Sequence, residues 1–127
     1  MLSKAQAKER QKDYDELVQR SEEALSLSTK IEKSLLEHNH VTQKDADDLK
    51  SLEKLVSKIL NGMGGDDYED EKLNTPNNFQ DAVKYLHTAT VELANEIQKT
   101  TRFSISVAAI ETSNAVLRVI KFLRFKR

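Results

Sequence analysis

The chain has 127 residues, 38% of them hydrophobic and 32% charged, with a formal net charge of −1. That length fits one domain with a real core, and the balance is too polar for a membrane-embedded protein and too apolar for a disordered one. Near-neutrality runs against a dedicated DNA-binding domain, and the lack of Cys excludes a disulfide scaffold and a thiolate zinc site.

Only one Pro and three Gly interrupt the sequence, so long helices are allowed. β-branched and aromatic residues do not alternate with polar ones, which leaves strands without support. The first helical segment covers residues 3–36. Its apolar or small positions, Tyr14, Leu17, Val18, Ser21, Ala24, Leu25, Ser28, Ile31 and Leu35, recur every three or four residues and share one face. Residues 1–13 are nearly all polar and read as a solvated helical extension, not a signal peptide.

Glu37-His38-Asn39-His40 breaks the pattern as a short turn. Thr42 then reads as the N-cap of a second helix, with Asp45 three residues on and Val41 placed to staple against Ala46. Leu49, Leu52, Val56, Ile59 and Met63 form its stripe, widened by Leu55 and Leu60. Gly62 and Gly64-Gly65 supply the left-handed conformation that ends a helix.

Residues 64–77 carry Asp66, Asp67, Glu69, Asp70 and Glu71, followed by Asn74, Thr75 and Pro76. Like charges this dense repel and stay hydrated, so a flexible acidic loop is expected. It lacks the central Gly and the acid spacing of an EF-hand. Pro76 biases Thr75 away from helix, and Asn77 or Asn78 can cap the next one.

The third helix carries Phe79, Ala82, Val83, Leu86, Ala89, Leu93 and Ile97, and the fourth covers residues 103–125. Between them Lys99-Thr100-Thr101-Arg102 holds neither Gly nor Pro. A tight turn capped by Thr101 or Ser104 is expected there. The core parts of the four segments match at about 22 residues, ~33 Å each. The chain is therefore expected to be a single all-α domain over residues 1–127, an antiparallel up-down-up-down four-helix bundle. Three long helices, with the last two segments continuous, are the alternative.

The fourth helix is apolar on two faces. Ile105, Ala109, Val116, Ile120 and Leu123 lie on one, extended by Val119 and Phe122; Phe103, Val107, Ile110 and Leu117 lie more than a quarter-turn away. A surface helix needs a stripe only somewhat over ~100° wide. Either the neighbouring helices cover the second face, or it docks another chain or a second copy. Phe103, Val107, Ile110 and Leu117, then Phe122 and Phe125, are the candidate partner-binding residues.

Residues 118–127 form a basic amphipathic end with Arg118, Lys121, Arg124, Lys126, Arg127 and no acid. Such an end can lie on an anionic membrane or bind nucleic acid, or simply complement a helix C-terminus. In an up-down-up-down bundle the acidic link falls at the end that carries both termini, where it would shield these cations.

No motif for chemistry stands out. His38 and His40 sit in one turn, and His87 lies far along the third helix, whereas a metal site needs three or four converging ligands. There is no glycine-rich phosphate loop, no recognisable nucleophile motif and no Glu-x-x-His pair. Glu111, a lone carboxylate on an apolar helix, reads as a boundary residue. The expectation is a cytoplasmic, non-enzymatic interaction module (an adaptor, scaffold, regulatory or assembly domain). No catalytic residue, metal, cofactor or small-molecule substrate is expected, and the partner is another protein or a second copy. Binding to a membrane surface or nucleic acid through the basic end is the alternative.

Overall fold

The structure, a computed structural model, describes residues 3–65, 76, 78–99 and 107–125. Four helices are present, α1 (Lys4–His38), α2 (Gln43–Gly62), α3 (Phe79–Lys99) and α4 (Val107–Phe125). They pack against one another with no strand among the described residues, as an all-α four-helix bundle.

Local chemistry sets the helix ends. Ser3 accepts the Gln6 N–H and the Gln6 side chain accepts the Ser3 N–H, a reciprocal box that starts α1. α1 stops where Asn39 adopts φ 58°, a left-handed conformation that Asn tolerates better than most residues. The box expected at α2 is present. Thr42 Oγ1 accepts the Asp45 N–H at 3.1 Å, and Asp45 Oδ2 accepts the Thr42 N–H at 3.1 Å. Val41 is partly buried and packs against the core. Past α2, Gly64 takes φ 78°. Of the two candidate caps for α3, Asn78 does the work, its Oδ1 accepting the Asp81 N–H at 2.8 Å.

The order of the helices differs from the expected one. α1 packs on α2 and α3, and α4 also packs on α2 and α3; α1 and α4 occupy one diagonal, α2 and α3 the other. Lys30 pairs with Asp48 and Ser34 with Asp45, so α1 and α2 are antiparallel. Gly65, just past the end of α2, lies against Ile110 near the start of α4, while Arg124 at the end of α4 pairs with Glu53. α4 is therefore antiparallel to α2. Glu92, Asn95, Glu96 and Lys99 line one groove with Ala108 and Thr112, which makes α3 antiparallel to α4 and rules out one continuous helix. The chain runs up-down-down-up.

The physical reason lies in the links. The few residues between α1 and α2 force antiparallel neighbours. Residues 63–78 could reach about 50 Å fully extended, more than the ~30 Å length of a 20-residue helix. They can join opposite ends of the bundle, and α2 and α3 run parallel. The two ends of the described chain consequently lie at opposite ends of the molecule. α2 ends, and the acidic stretch begins, at the end away from the basic end of α4, so the expected juxtaposition of the two does not follow. The expected acidic loop itself lies outside the described residues. Gly62 lies against Leu17, so the polar first turns of α1, which are helical from Lys4, run on past α2.

The core is continuous from end to end, built from Ile31 and Leu35, Leu49, Leu52, Val56 and Ile59, Leu86, Leu93 and Ile97, and Val116, Leu117, Ile120 and Leu123. Small residues such as Ala24, Ala82, Ala89 and Ala109 let the helices approach closely. The buried hydroxyls of Ser21, Thr90 and Ser113 donate to carbonyls of Val18, Leu86 and Ala109 on their own helices. The Ser28 Oγ is buried without a hydrogen-bond partner. A buried hydroxyl left unpaired carries its desolvation penalty in full. Ser28→Ala is therefore expected to leave the urea-unfolding midpoint unchanged or raised. Leu93→Ala, at a fully buried position, is expected to cost about 2–5 kcal/mol by the same measurement.

Candidate functional site

α4 lies between α2 and α3, and most of its circumference is covered. Leu117, 1% exposed, is a core residue and not part of an open face. Ile110 and Phe122 are half-buried and pack against the core. Val107, 67% exposed, and Phe125, 70% exposed, stand out into solvent. They lie 18 positions apart, five full turns, so they share one face about 27 Å apart. Phe103 lies outside the described residues. The presumed second apolar face is thus covered in the middle and open at its two ends.

Gly65 explains part of that cover. An added Cβ there would sit 2.7 Å from Leu60 Cδ1 and 3.0 Å from Ile110 Cγ2. Any larger residue would have to displace the Leu60 tip and crowd Ile110 where the chain leaving α2 passes α4. Nothing in the sequence ties Gly65 to Ile110, because the contact depends on α4 running antiparallel to α2.

The basic end is not a uniform field of free cations. Arg124 Nη1 donates to Glu53 Oε2 on α2, and its guanidinium carbon lies 5.0 Å from the Phe125 ring centroid, within cation–π range. Arg118 and Lys121 are half-buried, and one guanidinium nitrogen of Arg118, Nη2, is fully buried without a hydrogen-bond partner. Lys126 and Arg127 lie outside the described residues.

Beside Phe125 an open groove runs between α2 and α4, lined by Gln43, Ala46, Asp47, Lys50, Arg124 and Phe125. Its floor is the buried Ala46, and its α2 wall is the exposed edge of the first two turns. Gln43 Nε2 donates to Asp47 Oδ1 at 3.2 Å and steadies that wall. The groove offers an apolar ring, one carboxylate, one ammonium, one guanidinium and an amide, a mixed set suited to a polypeptide surface rather than to a small charged molecule.

The α1–α2 turn adjoins this end of the bundle. Asp45, 1% exposed, accepts the Ser34 hydroxyl at 2.5 Å on Oδ1 and the Thr42 N–H on Oδ2. His38 Nδ1 lies 2.9 Å from the Ser34 carbonyl and 3.9 Å from Asp45 Oδ2. A carbonyl only accepts, so Nδ1 carries the hydrogen. His40 Nδ1 lies 2.7 Å from the His38 carbonyl, and the two imidazole rings meet edge-on with centroids 6.2 Å apart. His87 bridges α1 and α3, facing Glu32 and Thr29. No group of three or more His, Cys, Asp or Glu converges to hold a metal among the described residues. No described helix is long and apolar enough to cross a membrane. Glu111 is exposed on α4.

The capping box announced Asp45, but its tie to Ser34, eleven residues earlier on another helix, left no sequence signal. Comparison with known proteins adds nothing to this geometry: no protein-family model, curated protein or solved structure matches the chain.

Gly65→Ala is expected to push Leu60 and Ile110 aside and lower stability by about 1–3 kcal/mol. Gly64→Ala, where space is open but φ is 78°, is expected to lose about 1 kcal/mol through backbone strain alone. Thermal or urea unfolding of both variants separates the two effects.

Proposed function

We propose that this chain is a non-enzymatic helical interaction module, an adaptor, scaffold, regulatory or assembly domain, that binds another protein or a second copy of itself along α4. The observation that carries the reading is the alignment of Val107 and Phe125. These apolar side chains stay in water on one face of a helix whose other large apolar residues are buried or half-buried. Phe125 also borders the α2–α4 groove with Arg124. Arg is among the residue types that most often dominate binding energy at protein interfaces, and Phe is enriched in their cores.

A second reading is peripheral binding to an anionic membrane or nucleic acid through Arg118, Lys121, Arg124, Lys126 and Arg127. The exposed Phe125 among these cations favours it, since a basic end with an apolar tip suits a headgroup layer. The pairing of Arg124 with Glu53 weakens it, because that charge is already partly compensated.

The double variant Val107→Asp, Phe125→Ser removes two exposed side chains and is expected to keep stability within about 0.5 kcal/mol. Light scattering across a concentration series tests the reading. A mass that rises with concentration for the native chain and stays monomeric for the variant supports self-association. A native monomer moves the partner to another protein, which a photo-crosslinker at position 125 would capture. Steeply salt-dependent binding of the native chain to anionic vesicles or an oligonucleotide would replace this reading with the second.

A further inference from the structure

The Asp45 carboxylate is surrounded by donors. Ser34 O–H reaches one oxygen and Thr42 N–H the other, while the His38 ring, whose Nδ1–H is taken by the Ser34 carbonyl, lies 3.9 Å from the second. The cluster joins α1 to the first turn of α2 at the only short link between them. It also sits behind the wall of the groove beneath Phe125, since Gln43, Ala46 and Asp47 belong to the same turns of α2. A charged carboxylate satisfies both donors at once. A neutral carboxyl carries its own hydrogen, which must point at one of them.

We infer that Ser34, Asp45 and His38 form an acid-released latch: protonation of Asp45 opens the α1–α2 turn and the first turn of α2 while the rest of the bundle stays folded. The functional consequence, loss of the α2 wall of the docking groove, rests on the reading proposed above; the latch itself does not.

The charged groups around the cluster do not take over its role. On α1, Lys30 is engaged with Asp48. On α2, Lys44 is exposed. On α4, Arg124 is engaged with Glu53.

Burial works against the charge of Asp45, but hydrogen bonds from Ser34 and Thr42, with His38 nearby, outweigh it and hold the carboxyl below its ordinary value of 3.8. A depressed folded pKa means the stabilisation is fully present above the unfolded value and disappears as pH falls through the folded one. The distant core, at Leu93 and Ile97, contains no titratable group among its buried residues. It has no reason to fail at the same pH.

Two-dimensional NMR of the full chain between pH 6 and pH 2 tests this. Amides of Asn39, Thr42, Asp45 and Ala46 should lose protection at least ~10-fold, in step with the Asp45 carboxyl carbon and at a higher pH than the methyls of Leu93 and Ile97 lose dispersion. Asp45→Asn should show the open turn already at pH 6 with those methyls unchanged, and Ser34→Ala should move the turn transition to higher pH. A single transition shared by turn and core, or an Asp45→Asn turn as protected as the native one, would overturn the latch. Because no partner enters the measurement, failure of the docking reading leaves this result standing, and the reverse.

Discussion

Between Ala109 and Leu123, α4 buries side chains spread over far more than half of its circumference, including Leu117 and Ile120 toward the core and Asn114 and Ala115 toward the flanks. Only a position between two other helices removes that much surface from water. With α1 tied to α2 by a short turn, α4 takes the corner opposite α1, flanked by α2 and α3. α2 and α3 then share the other diagonal, and residues 63–78 are long enough to permit their parallel course.

This placement also explains why the interaction surface is small. The helix that looked able to offer a whole apolar face spends most of it on the bundle, and Leu117 is part of the core rather than of any exposed patch. What remains is a pair of side chains, Val107 and Phe125, and a groove whose far wall is the start of α2. The groove depends on the same turn that the Thr42–Asp45 box and the Ser34 bond hold in place. Fold stability and the proposed docking surface therefore share residues at one end of the molecule.

Charge plays a local part. Arg124 is held between Glu53 and the Phe125 ring, and Lys30 between α1 and Asp48, so these cations organise neighbouring helices. His87 does the same between α1 and α3 through Glu32 and Thr29. Partly exposed pairs of this kind contribute modestly each, and the buried aliphatic residues supply most of the stability.

The sequence by itself determined what depends on near neighbours. The four helices, the box from Thr42 to Asp45, the cap at Asn78 and the turn around Asn39 each rest on residues within a few positions of one another, where side-chain chemistry acts directly on the backbone. The inward faces of α1, α2 and α3 were legible for the same reason, since one apolar stripe has one side to bury. Tertiary structure alone decided chain direction, helix order and the fate of the two-faced α4. Periodicity says that a face must be covered but not by which helix, and a long polar link carries no record of which ends it joins. Ser34 against Asp45, Gly65 against Ile110 and Arg124 against Glu53 exist only once that order is set.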